Sequence, residues 1–328
     1  MRAAFVRGLL QLAERDPRVW LLTGDLGFSV LEPFAQRFPE RFVNVGVAEQ
    51  NMVGVAAGLA HSGKVPFVYS IANFPTLRCY EQIRNDVCYH ELGVRVVSVG
   101  AGVSYGTAGY THHGVEDLAV MRALPNMTVV SPGDPLEAEL LTLALGQHQG
   151  PAYLRLGKGG EKAVHASPPA ELELGKAVTV RAGRDLTLIA TGARLHAAVQ
   201  AAEQLEQNDR LSVRVLSLHT IKPLDEAAVR AAATETRLVV TLEEHSVVGG
   251  LGSAVASVLA GMPAHAPLMM QALPDAPCTV VGSQAYLLAS LGDWIEPVRR
   301  AAQQLLRRDE EESGHFLTAP SPRAYNSI

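Results

Sequence analysis

What this chain lacks narrows it first. Cysteine is scarce: 3 in 328 residues, an odd number without metal-type spacing at Cys79, Cys88 and Cys278. That usage argues against a disulfide framework or a zinc site and reads as reduced cytoplasmic thiols. Neither sign of charge dominates, with 28 Lys and Arg against 33 Asp and Glu and a formal net charge of -5. Without a basic stripe, no nucleic-acid partner is expected. No apolar run reaches the length of a membrane span, and the N-terminus carries no charged-then-apolar signal segment. The expectation is therefore a cytoplasmic protein with no membrane contact. What is present suits a globular chain: 48% apolar and 19% charged residues, in a length that allows two domains, each with its own core.

Short β-branched runs alternate with helical patterns, which predicts a parallel α/β sheet. Strands are expected over 19–23, 65–70, 94–99 and 127–130, with a short one over 41–46. Helices are expected over 3–15, 49–62, 75–91 and 134–148, the last started by Asp134 and Pro135. Between 157 and 174 the pattern dissolves into Gly, Lys, Pro and Ser, as in a linker. A second α/β pattern follows, with strands over 186–191, 212–218 and 238–243 and helices over 194–207, 225–235 and from about Gly252. The predicted fold class is α/β: two α/β domains with mainly parallel sheets over 1–165 and 175–308. A flexible tail is expected over 309–328.

The run from Val47 to Ala60 places one acid, Glu49, at the start of an otherwise apolar, small-residue helix. Such an acid either complements the helix dipole or is buried, which would raise its pKa. The residues alone leave both open. Over 70–86 a strand end meets a loop and a helix, the end at which open α/β sheets bind ligands. Phe74 in that loop reads either as core or as a wall against a planar ring. The loop from Gly106 to Gly114 is dense in Gly and carries His112 and His113 side by side, which favours a site.

The Glu49 helix, Phe74 with Tyr80-Glu81-Gln82-Ile83-Arg84 behind it, and the run from Val115 to Met127 resemble the thiamine-diphosphate enzymes of the transketolase group. The resemblance covers 2–306 and extends to 220–225 and 243–253, which match the C-terminal domain. It is a resemblance to the pyrimidine-binding and C-terminal domains of transketolase and of 1-deoxyxylulose-5-phosphate synthase. It implies that Glu49 hydrogen-bonds the pyrimidine nitrogen of the cofactor and promotes an imino tautomer, which takes the proton from the thiazolium carbon. A carboxyl able to share a proton near neutral pH suits that task. Phe74 would stack on the aminopyrimidine, worth about 0.5–1.5 kcal/mol beyond burial, and Ile71 stands where the family has a second aromatic.

By the same resemblance, His112 matches a histidine that contacts the substrate oxygen, whereas His113 has no counterpart. Arg2 and Ser29 fall at positions of a phosphate-contacting arginine and serine. Lys158 replaces a third arginine and offers a point charge, not a bidentate fork. Solvated surface charge is the competing reading for Arg2 and Lys158. Ala108 replaces an acid that reads a sugar hydroxyl, and Gly100 replaces an upstream histidine, which implies a different or less hydroxylated substrate. The 243–253 segment looks like a phosphate loop, but its acids would repel phosphate. The resemblance gives it subunit contacts and no chemistry.

Full-length members of this group begin with a further domain whose Gly-Asp-Gly, with an Asn farther on, binds the diphosphate through Mg²⁺. No Gly-Asp-Gly occurs here: Gly24-Asp25-Leu26 and Gly133-Asp134-Pro135 both fail at the third position. The resemblance therefore implies one half of a split enzyme. Thiamine diphosphate would lie between subunits, the Mg²⁺ ligands would come from a second polypeptide, and two copies of each would assemble. The expected activity is transfer of a two-carbon ketol unit from a ketose or ketose phosphate to an aldehyde. The alternatives are a 1-deoxyxylulose-5-phosphate-synthase-like or other 2-oxo acid decarboxylating carboligase, a 2-oxo acid dehydrogenase first-component β subunit, and a non-catalytic partner. Joint retention of Glu49, Phe74 and His112 counts against the last.

Overall fold

The computed structural model describes residues 1–169 and 172–316. Its strands are β1 Val19–Thr23, β2 Phe42–Asn44, β3 Val65–Ile71, β4 Arg95–Val99, β5 Thr128–Val130 and β6 Ala152–Leu156. The chain continues with β7 Val178–Arg181, β8 Leu186–Ala190, β9 Val213–Ser217, β10 Thr220–Lys222, β11 Val239–Ser246 and β12 Leu268–Leu273. They form a seven-stranded sheet in the order β10-β5-β6-β4-β3-β1-β2 and a five-stranded sheet in the order β12-β11-β8-β9-β7. Only β10 on β5 and β7 on β9 pair antiparallel. The architecture is two α/β layers with mainly parallel sheets, as the alternating pattern predicts.

The central strands explain why. Every residue of β4 and β6 is buried, the near-continuous apolar signature of strands covered on both faces. Even their arginines obey it. Arg95 is 2% exposed and donates to the carbonyls of Leu145 at 2.7 Å and Gly150 at 2.9 Å. Burial pulls its pKa down to about 10.

β10 has no counterpart in the sequence pattern. It follows β9 yet extends the other sheet, so the first layer is completed by a strand from the second half of the chain. Between Gly157 and Ala177 the described residues form neither helix nor strand, but part of the segment is pinned. Asp134 caps the helix Pro135–Gln147 through Oδ1, while its Oδ2 accepts the amides of Val164 and His165 at 2.9 and 3.0 Å. His165 also meets Glu137 at 2.9 Å, a contact that raises the imidazole pKa.

The helix expected over 75–91 is a correction. The chain there makes a 3₁₀ turn at Leu77–Cys79, an α turn at Tyr80–Gln82 and a π-helical stretch at Ile83–Cys88. The wider turn lets Ile83, Val87 and Cys88 all face the core, and such bulges often accompany functional sites. At the other end, the helix Ile295–Phe316 continues past Asp309, into the span expected to be a flexible tail. The remainder of that expected tail, 317–328, lies outside the described residues. No helix among the described residues is long and apolar enough to cross a membrane.

Candidate active site

The loops after β1, β3 and β4 leave the same edge of the parallel sheet, where ligands of such sheets bind. Glu49 opens the helix Glu49–His61 at this edge and is 2% exposed. It reaches inward because Gly24, at the end of β1, has no side chain: a Cβ there would sit 3.2 Å from Glu49 Oε1. The Ser70 hydroxyl lies 3.4 Å from the same oxygen. The other oxygen has a partner that sequence reasoning missed. Arg78 Nη1 donates to Oε2 at 2.6 Å. The Arg78 guanidinium also lies 4.4 Å from the centroid of Phe74. Burial of Glu49 is thus as expected, but its neighbours are not all apolar.

Phe74 carries the line of contacts onward. The His112 ring meets it edge-on with centroids 5.3 Å apart and lies 6.2 Å from the Tyr105 ring. Lys158 Nζ lies 4.6 Å from the Tyr105 centroid. Arg2 acts electrostatically on Tyr69 and Tyr105 and passes within 3.6 Å of a Cβ built at Gly159. Glu49, Arg78, Phe74, His112, Tyr105 and Lys158 therefore form one chain of contacts, with Arg2 at its cationic end. Ile71, the last residue of β3, is half-buried and accepts the Phe74 amide at 2.8 Å. Ser29 is exposed, its own amide donating to Glu32 Oε1 at 2.7 Å. It shares no hydrogen bond with Arg2 or Lys158 among the described residues.

The two histidines differ. His112 is half-buried at the site, whereas His113 is fully buried behind it. Asn73 Nδ2 donates to the His113 carbonyl at 2.7 Å, and neither imidazole nitrogen of His113 makes a well-formed hydrogen bond. Burial pushes its pKa below the ordinary histidine value, so the ring stays neutral. Gly100 explains a departure noted in the sequence. Its φ is +105°, and a Cβ there would fall 2.3 Å from Tyr105 Cδ2. The Tyr105 ring fills the space that a side chain at position 100 would need.

The 243–253 segment is no anion site. The helix Leu251–Leu259 could receive an anion at its N-terminus, but Glu243 already does so, accepting the amides of Leu251 at 2.7 Å and Gly252 at 2.8 Å. Burial pushes the Glu243 pKa up to about 7.

Residues 1–160 match the family model of the transketolase pyrimidine-binding domain, and residues 175–293 match that of the transketolase C-terminal domain. The chain belongs to the transketolase family. One of the two apulose-4-phosphate transketolase subunits of Phocaeicola vulgatus is 38% identical over 308 residues, covering 94% of this chain and 97% of that protein. 1-Deoxy-D-xylulose-5-phosphate synthase of Thioalkalivibrio sulfidiphilus is 39% identical across 97% of this chain, which spans 49% of that protein. Among solved structures, a split-gene transketolase in an inactive β4 tetramer matches with a TM-score of 0.84 at 38% identity. That match covers 93% of this chain and 98% of the other. This member is of the split type, a subunit of a thiamine-diphosphate-dependent transferase.

The residues present fit the pyrimidine end of that cofactor. A buried carboxylate lies in a cradle that a Cβ at Gly24 would crowd, Phe74 offers a ring, and Asn73 Oδ1 is buried without a hydrogen-bond partner. The diphosphate end is a different matter, because no group of three or more His, Cys, Asp or Glu among the described residues could hold a metal ion. Arg78 and Tyr105 escape a reading of the sequence because each makes its site contacts through the folded loops. One of 28 basic residues is singled out only by whom it touches.

Proposed function

We propose that this chain supplies the pyrimidine half of a two-component transketolase-like enzyme, which moves a two-carbon ketol unit from a ketose or ketose phosphate to an aldehyde. The observation that carries the proposal is the gathering of Glu49, Phe74 and His112 at one sheet edge. Thiamine diphosphate, when bound, supplies the electron sink for breaking and remaking a carbon–carbon bond beside a carbonyl. The chain's own residues do the rest. Glu49 holds a proton against the pyrimidine nitrogen, with the Ser70 hydroxyl at its other oxygen. Phe74 and Ile71 wall the ring. His112 hydrogen-bonds the substrate oxygen on which charge develops. Arg2 and Lys158, either side of Tyr105, attract an anionic group of the substrate.

The diphosphate and its Mg²⁺ are then held by a second polypeptide, in a cytoplasmic assembly of two copies of each chain. Val47, 78% exposed, and Phe28, 72% exposed, stand as uncovered apolar residues next to the Glu49 helix and in the loop after β1. They are suited to being covered by such a subunit. A 2-oxo acid decarboxylating carboligase of the 1-deoxyxylulose-5-phosphate synthase kind is the second reading. It is favoured by Ala108 and by Tyr105 filling the space beside Gly100, which leave neither acid nor histidine at those positions to read a sugar hydroxyl.

Calorimetry with cofactor and Mg²⁺ tests the split arrangement. The chain alone should bind weakly and turn nothing over, and the co-purified pair should do both. Tight binding to the isolated chain would sink the two-component reading. Turnover of ketose phosphates, unphosphorylated ketoses or pyruvate by the pair then separates the two reactions.

A further inference from the structure

Arg78 occupies both of the groups that an aminopyrimidine would use. Its Nη1 lies 2.6 Å from Glu49 Oε2, and its guanidinium carbon lies 4.4 Å from the Phe74 centroid. The His112 ring already meets Phe74 edge-on, so the space around the phenyl ring is crowded. A planar cation and a planar heterocycle cannot share that place. We propose that Arg78 is a positioning residue for Glu49, holding the carboxylate toward the pocket, and that the aminopyrimidine enters by displacing the guanidinium from Glu49 and Phe74. This rests on the thiamine-diphosphate reading above.

The geometry makes the exchange feasible. Glu49 is fixed, buried against Ser70 and Gly24. The Arg78 side chain is 42% exposed, so its released head group passes straight into water and loses little. Half-exposed ion pairs are weak, and a cation over a phenyl face adds only modestly. Arg78 is thus held firmly enough to orient a carboxylate and loosely enough to leave. Loop geometry assists: Arg78 sits in the 3₁₀ turn Leu77–Cys79, and its own amide donates to the Asn73 carbonyl at 3.2 Å. The backbone can stay anchored while the side chain swings.

The test measures cofactor affinity in the co-purified pair by calorimetry with thiamine diphosphate and Mg²⁺, so that it does not depend on turnover. Arg78→Met should bind the cofactor about fivefold more tightly than the parent, the gain expected when a weak competing pair is removed. Arg78→Lys should fall between the two, because an ammonium restores the charge but not the planar stacking. In a Glu49→Gln background the gain from Arg78→Met should shrink, since the anion that holds Arg78 is gone. A parent that binds, with Arg78→Met equal or weaker, overturns the proposal. So does an undiminished gain in the Glu49→Gln background, which would place the effect at Phe74 alone. If neither the parent nor the variant binds the cofactor, the thiamine reading itself fails, and the proposal falls with it.

Discussion

Two arginine–carboxylate pairs in this molecule have opposite designs. Arg155 and Asp117 are each 1% exposed. Arg155 Nε reaches Asp117 Oδ2 at 2.7 Å and Nη2 reaches Oδ1 at 3.1 Å. Nη2 also donates to the carbonyls of Gly114 at 2.6 Å and Glu244 at 3.0 Å, while the Tyr153 hydroxyl donates to Asp117. Burial works against the Asp117 charge, but the Arg155 guanidinium prevails and holds its carboxyl below the usual carboxylate range. The cluster ties β6, the end of the histidine loop and β11 together, so it joins the two sheets. Arg78 and Glu49 share one ionic hydrogen bond, and the arginine is largely open to solvent. A sealed pair must satisfy its donors and acceptors or cost several kcal/mol. An open pair need not, and can come apart in use.

The contrast breaks first at Glu49. Glu49→Gln keeps the shape of the side chain but cannot hold and share the proton as a carboxyl does, so turnover of the assembled enzyme should fall by about 10²–10⁴-fold. Its thermal unfolding should stay near that of the parent, because the paired Arg78 moves into water. Near-normal turnover would remove Glu49 from the mechanism, and a large drop in melting temperature would show that this pair is structural after all.

Arg155→Met probes the opposite member. Removing one partner leaves Asp117 buried and uncompensated, at a cost of about 3–5 kcal/mol. Urea unfolding of the purified chain reads this as a lowered midpoint. Replacing Arg155 and Asp117 together with apolar residues should cost less than the single change, since no lone charge remains. A single variant as stable as the parent would mean that the two pairs do not differ in kind.

How far this distinction is legible in the sequence depends on the range of the interactions. Glu49 stands out because it is the single acid opening a small, apolar helix, a local pattern with a local cause. The parallel layers follow for the same reason, from continuous apolar runs such as β4 and from turn residues between them. Arg78 and Tyr105 carry no such local mark, because their roles arise from where Phe74, Glu49 and Gly100 are brought by the sheet. β10 is invisible for a related reason: three residues after β9 give no sign of joining the other sheet. The 75–91 segment reads as one helix because its apolar spacing averages over α, 3₁₀ and π turns. The C-terminal Gly-rich segment is ruled out as a phosphate site on charge alone, and Glu243 seated on the helix N-terminus supplies the structural reason.

The smallest of these effects repeats the open-against-sealed contrast within one dipeptide. His112 borders Phe74 and Tyr105 and is partly open. His113 is fully buried, with the Asn73 amide on its carbonyl. His112→Ala should lower kcat for carboligation more than it weakens cofactor binding, because a donor beside an oxygen gaining charge is worth about 2.7–4 kcal/mol in comparable sites. The ring touches Phe74, so a modest loss of cofactor affinity should accompany the change. His113→Ala should act in the other direction, lowering the melting temperature by emptying a buried volume while kcat falls less. Its neutral, solvent-sealed ring has no path to a substrate oxygen that does not first pass His112. Steady-state kinetics of both variants, with cofactor affinity and thermal unfolding measured alongside, separate these outcomes. A kcat loss confined to His113→Ala would shift the assignment through the Gly106 to Gly114 loop by one residue and make the sealed histidine the working one.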